Sequence, residues 1–291
     1  MSKHRHTSSA EGPLTVRIVT DSASDIPQNV CDELGIEIVP LSIRFGDREY
    51  QDRTELTTEE FWAEMAKAAV LPETAAPSVG AFEETFRRLA DNGATGVVCI
   101  NLSSKLSATM QSAQVAAKSL EGVCPIEVVD SLNASMGIGV QVIRAAEMAR
   151  DGADVATIVA AIEDLRTRTK VLFTVDTLEF LKKGGRIGAA QALLGSVLSI
   201  KPVMKTEDGQ VAPAGKVRTR SKALQFIIDE AKAAPIEQIC VMHTMANDLD
   251  DFIKMVEPFA PGGAMIVAQV GPVVGVHTGP GVAGLAWIER R

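Results

Sequence analysis

Aromatic side chains are scarce in this chain: nine Phe, two Trp and one Tyr make up 4% of 291 residues. The interior must therefore be built from Leu, Ile, Val, Ala and Met, of which Met adapts best to irregular cavities and flexible ligands. Cysteine is also sparse. Cys31, Cys99, Cys124 and Cys240 lie far apart, and no pair has the short spacing of a zinc or redox motif. Cys99 and Cys240 sit inside apolar runs, where cysteine acts as a small buried hydrophobe, as expected in a reducing compartment. Positive charge is not in excess. The formal net charge is −8, which argues against a nucleic-acid partner. No segment offers the roughly 20 uninterrupted apolar residues of a spanning helix. Residues 1–13 have no apolar h-region and read as a disordered tail rather than a signal peptide. A cytoplasmic protein with at most transient contact with a membrane surface is expected.

Several catalytic signatures are missing as well. There is no Walker A loop, no G-x-S-x-G elbow and no H-E-x-x-H pair. Gly279-Pro280-Gly281-Val282-Ala283-Gly284 spells G-x-G-x-x-G, but only seven residues follow it, too few for a βαβ unit with its ribose-reading acid. No metal site and no cofactor are expected.

What is present is an ordinary globular balance, 46% hydrophobic and 23% charged, long enough for one large or two average domains. Apolar runs at 14–20, 36–45, 96–102 and 126–129 alternate with helical segments, as in a largely parallel, helix-covered sheet. A capping box, Thr57 with Glu60, opens one helix; Ser78 caps another over 79–91, stopped by Gly93. Helices are expected over 134–150 and 154–168. The pattern then changes: a strand at 171–175, a short helix ending at Gly184-Gly185, an apolar stretch over 189–200, and a hairpin, 201–206 with 210–217, turning on Asp208-Gly209. Helices over 221–232 and 247–259 flank a strand over 238–244. Short strands around Ile266, Val274 and Ala286 close the chain. We therefore expect an α/β domain with a parallel sheet over 14–168 and an α+β domain over 169–291.

Several expected strands end in small hydroxyl residues that lead into helices: Thr20-Asp21-Ser22, Thr74-Ala75-Ala76-Pro77-Ser78, residues 103–109, and Asp130-Ser131. At the carboxyl edge of a parallel sheet such turns present free N–H groups and hydroxyls that hold a carboxylate or phosphate. Each turn also reads as a simple helix cap. Lys182-Lys183-Gly184-Gly185-Arg186 fits two readings equally: an anion-binding nest, or a glycine-stopped helix with cations at its C-terminus. His243 and His277 end apolar runs, and His277 lies among Gly275, Gly279 and Gly281, which let backbone approach a ligand closely.

Taken together, these segments resemble the DegV family of bacterial fatty-acid-binding proteins. The further marks are Val39-Pro40-Leu41, Leu102-Ser103-Ser104-Lys105-Leu106-Ser107-Ala108-Thr109, Lys201-Pro202, Val217-Arg218-Thr219 and Val276-His277-Thr278-Gly279-Pro280-Gly281. The resemblance implies a non-enzymatic carrier that buries a long-chain fatty acid. Thr74, Ser107 and His277 fall where the family holds the carboxylate. Arg186 and Arg218 match arginines tied to the headgroup, partner recognition or phosphoryl transfer. The partner implied is an ATP-dependent fatty-acid kinase that converts the carried acid to acyl phosphate for lipid synthesis. Ala75 stands where the family pattern has Ser, removing one hydrogen bond, and Ala108 where it has Gly, narrowing backbone freedom. Two rivals remain: an acyl hydrolase or phosphoryl-transfer enzyme using the same Ser, Thr and His groups, and a regulatory protein whose lipid is only structural.

Overall fold

The computed structural model of the chain describes residues 16–194 and 200–291. The expected tail, the first two residues of the expected first strand and part of the apolar stretch over 189–200 lie outside the described residues.

In chain order the elements are β1 (Arg17–Asp21), α1 (Gln28–Leu34), β2 (Glu37–Val39), β3 (Ser42–Phe45), β4 (Arg48–Gln51), α2 (Thr58–Lys67), β5 (Glu73–Ala75), α3 (Val79–Asp91), β6 (Val97–Asn101), α4 (Thr109–Ser119), β7 (Ile126–Asp130), α5 (Met136–Arg150) and α6 (Val155–Arg168). They continue with β8 (Thr169–Thr174), α7 (Glu179–Lys183), β9 (Lys201–Glu207), β10 (Gln210–Val217), α8 (Arg220–Ala231), β11 (Ile236–His243), α9 (Leu249–Val256), β12 (Ile266–Gln269), α10 (Pro272–Thr278) and β13 (Ala283–Glu289).

The fold is mixed α/β, with three sheets among the described residues. A four-stranded sheet, ordered β2-β1-β6-β7, is parallel throughout. A six-stranded sheet, ordered β10-β9-β8-β13-β11-β12, is antiparallel except for β11 beside β12. A small antiparallel sheet, β4-β3-β5, stands apart from both. Every strand up to β7 belongs to the first or third sheet, and every strand from Thr169 on to the second. Helix α5 packs against strands of both large sheets and is buried nearly all round, through Ile138, Val140, Val142 and Ile143 among others. The largest hydrophobic core accordingly runs from Ile18 and Ile100 through α5 to Val171, Met242 and Ala286 without a break.

Local signals account for much of this. Thr57 and Glu60 make both bonds of the capping box. Ser78 accepts from the Ala81 N–H and caps α3. Asp208 and Gly209, at φ 49° and 79°, form the two-residue turn of the β9–β10 hairpin, a conformation that matches strand twist.

Four expectations are corrected. The strand expected over 36–45 is two strands in different sheets. Pro40 has no N–H to continue the ladder, and the Leu41 N–H turns instead to Ser22 Oγ at 3.1 Å. The turn expected at Thr74 is a three-residue edge strand, with Thr74 opposite Ile43. Strand β4 was not expected. The strand expected around Val274 is helix α10, begun by Pro272 at a first-turn position where its fixed φ suits a helix. Its β-branched valines read locally as strand, but packing overrides that preference. His277 therefore ends a helix, not a strand.

Candidate functional site

Beyond the carboxyl ends of β1 and β6, between the two large sheets, lies a cavity of about 250 Å³. Its apolar wall includes Leu41, Leu102, Leu106, Val171, Phe173, Leu181, Met242 and Val273. A second, open basin of about 1030 Å³ shares Thr74, Arg186 and His277 with the cavity. These three residues therefore stand where the interior meets the outside.

Each is brought there by a different element. Thr74 sits on β5, and its Oγ1 lies 3.0 Å from His277 Nε2 at the end of α10, 203 positions away in sequence. Arg186 follows α7. Its Nη1 donates to the Gly184 carbonyl at 2.7 Å and its Nε to the Leu106 carbonyl at 3.2 Å. One guanidinium thus ties the end of α7 to the loop that carries Ser107. Ser107 Oγ lies 2.9 Å from Thr109 Oγ1 and accepts from the Thr109 N–H at 3.3 Å, at the start of α4. It lines the cavity while also bonding the first residue of α4.

The remaining hydroxyls on the cavity wall are committed to other groups. Thr206 donates to Asn133 Oδ1, Ser135 to Asp25 Oδ2, and Thr278 to the Val274 carbonyl. Burial, reinforced by the Arg186 cation, pushes His277 down to about 4, so its ring is neutral at ordinary pH. Its Nδ1 is buried without a hydrogen-bond partner among the described residues.

Four of the five expected site residues, Thr74, Ser107, Arg186 and His277, line this cavity. Arg218 does not. It is exposed on the loop after β10 and lines neither the cavity nor the basin. Ser107 and His277 make no direct bond; each is engaged elsewhere, and among the described residues no carboxylate orients the imidazole from Nδ1. The base-and-orienter arrangement of a hydrolytic triad is therefore missing from these groups.

The other hydroxyl turns serve as braces. Asp21 accepts from the Ala23 N–H, the Leu102 N–H and Asn101 Nδ2. Asp25 accepts from Ser135 Oγ at 2.5 Å and from the Gly271 N–H, just before α10, at 2.9 Å. Asp130 accepts from the Leu132 N–H. Burial is the main cause that pushes Asp21 and Asp52 up to about 6 and Asp25 to about 7.

Sequence reasoning missed Asp25 as a tie between the start of α5 and the residue before α10. It also missed Arg220, which pairs with Asp248 and donates to the Gly281 carbonyl beside the cavity-lining Val282. Asp25 lies three residues beyond the Thr20-Asp21-Ser22 turn. Nothing local distinguished Arg220 from its exposed neighbours. Among the described residues, no group of three or more His, Cys, Asp or Glu is placed to hold a metal ion, and no helix is long and apolar enough to cross a membrane.

A family model described as "Uncharacterised protein, DegV family" matches residues 15–290. The chain belongs to the DegV family. A DegV domain-containing protein of Halalkalibacterium halodurans is 38% identical over 288 residues, covering 95% of this chain and 99% of that one. Among solved structures, a fatty-acid-binding DegV family protein of Thermus thermophilus superposes with a TM-score of 0.86 at 35% identity, covering 95% of this chain and all of that one. A stearic-acid-binding protein of Eubacterium ventriosum superposes with a TM-score of 0.85 at 28% identity, covering 94% and 98%.

Proposed function

We propose that this DegV protein is a fatty-acid carrier, holding the acyl chain in the cavity between its α/β part (14–168) and its α+β part (169–291). The observation that carries this is the distribution of polarity: a cavity walled mostly by apolar side chains, with Thr74, His277 and Arg186 where it opens to the basin. Burying a C16-type chain is worth about 0.8 kcal/mol per CH₂, roughly ten kcal/mol before ordering costs. The carboxylate cannot follow the tail unpaired. The Thr74 and Ser107 hydroxyls, with His277 beside them, hold it at the mouth. The fatty acids bound by the Thermus and Eubacterium relatives support the same ligand class.

Neutral donors leave the carboxylate oxygens nucleophilic, which suits transfer of a phosphoryl group from a partner ATP-dependent kinase, giving acyl phosphate for lipid synthesis. Arg186 at the mouth and the exposed Arg218 then serve headgroup and partner recognition. The cysteines Cys31, Cys99, Cys124 and Cys240 are free, in keeping with a cytoplasmic site of action.

Native mass spectrometry of the purified protein, before and after organic extraction, tests the carrier reading. The expected result is a removable mass excess equal to one fatty acid, reduced in a Thr74→Val, Ser107→Ala double variant. A protein that carries no such mass and takes up none when offered palmitate would overturn it.

A further inference from the structure

Two adjacent glycines, Gly184 and Gly185, end helix α7, and they are glycine for different reasons. Gly185 has φ +70°, a left-handed conformation that L side chains rarely adopt, yet a Cβ placed there would meet nothing within 4 Å. Gly184 is the converse. Its φ of −76° and ψ of −3° suit any residue, but a Cβ there would overlap His277 Nδ1 more closely than unbonded heavy atoms approach, and would press on Cε1 at 3.1 Å.

We propose that Gly184 is the positioning residue for His277: its missing side chain lets the imidazole close on the end of α7, so that Nε2–H donates to Thr74 Oγ1 and the Thr74 hydroxyl proton is turned toward the ligand carboxylate. This rests on the fatty-acid reading above. The ring carries one proton. On Nδ1 it would be a buried donor facing Gly184 without an acceptor; on Nε2 it meets Thr74 Oγ1 at 3.0 Å. A hydroxyl that accepts from the histidine keeps its own single proton for the ligand. The nearby Arg186 cation and the burial of the ring oppose a second ring proton, so the relay stays neutral. Arg186 also donates to the Gly184 carbonyl, fixing the backbone against which the ring rests.

The test is a double-mutant cycle on delipidated protein titrated with palmitate, together with nitrogen-15 NMR of the His277 ring. Wild type, Gly184→Ala, His277→Ala and the double variant are compared, with Gly185→Ala as the control for backbone strain. Gly184→Ala is expected to weaken palmitate binding at least tenfold when His277 is present and less than twofold when it is Ala. Equal losses in both backgrounds would overturn the proposal, because the glycine would then act elsewhere. In wild type the ring is expected to hold its proton on Nε2 without titrating between pH 5 and pH 8; a proton found on Nδ1 overturns the proposal with no variant needed. Should wild type bind no palmitate, the carrier reading falls by itself, and the ring spectrum of Gly184→Ala still decides the role of Gly184: a displaced His277 ring signal is expected, and one identical to wild type overturns the proposal.

Discussion

The mouth of the cavity and the brace behind it are made from similar sequence and do opposite things. At the mouth, Thr74 and a neutral His277 present uncharged hydrogen-bonding groups beside the Arg186 cation, with Ser107 on the cavity wall. At the brace, Asp21, Asp25 and Asp52 crowd three carboxyls into a buried region where ionisation is opposed. In the proposed reading the mouth's polar groups serve the carboxylate of an outside ligand. The brace spends its own on backbone N–H groups and on the ends of α5 and α10. A turn rich in Ser, Thr and Asp therefore does not declare a ligand site. What separates the two is position: Thr74 and His277 border both the cavity and the basin, whereas Asp21, Asp25 and Asp52 are buried and line neither.

The largest expected effect is at the brace. Asp21→Ala strands three donors inside the protein and should lower unfolding stability by roughly 3 kcal/mol, read from the urea midpoint at unchanged slope. A loss under about 1 kcal/mol would erase the distinction between brace and mouth.

Next comes pH. Asp21, Asp25 and Asp52 each hold a proton more tightly folded than unfolded, so the chain takes up protons on folding between about pH 4 and pH 7. Stability contributed by those protons is present below this window and is lost as pH rises through it. His277 has the opposite sign: its shift to about 4 contributes stability above pH 6.5 that is lost as pH falls. Burial lowers His243 in the same direction as His277; the three acids outweigh the two rings, and stability should fall by on the order of 2 kcal/mol from pH 5 to pH 8. Asp25→Asn should flatten the upper part of that curve; a curve that rises with pH would contradict the burial of these acids.

At the mouth, Thr74→Val keeps the shape and removes the hydroxyl. Palmitate affinity should drop about tenfold, or ~1.4 kcal/mol, while thermal unfolding changes little. If stability falls and affinity does not, Thr74 belongs with the braces. The smallest effect is expected for Arg218→Ala, which should leave both palmitate affinity and stability within about 0.5 kcal/mol of wild type, since the residue is exposed and lines neither opening. A large loss of affinity would require Arg218 to reach the headgroup.

Much of the fold was legible wherever a local device spoke for itself. The Ser78 cap, the Thr57–Glu60 box and the Asp208-Gly209 turn each act within a few residues, and their elements lie where the spacing predicts. Elements decided at long range were not. Val273-Val274-Gly275-Val276 has the composition of a strand, yet its place against α2 and α7 makes it a helix. Residues 36–45 read as one strand, whereas the partner of the Leu41 N–H, Ser22, lies 19 positions away. At the site, the motif residues Thr74, Ser107, Arg186 and His277 could be named from their resemblance to a family. The cavity wall could not, because Val171, Phe173 and Met242 look like any buried strand residues.

The chain's own order of residues determined the helix caps, the hairpin turn, the alternation that forms a parallel sheet first and an antiparallel one later, and the absence of any excess of positive charge. These follow from interactions spanning a few bonds or from simple composition. Tertiary structure alone decided that Thr74 meets His277 across 203 positions, that Gly184 must be bare while Gly185 must turn, and that one acidic turn became a brace and another hydroxyl turn a mouth. Each of those depends on which atoms share a volume once distant segments pack. Hydrogen bonding and excluded volume act through space, so no stretch of sequence read by itself contains them.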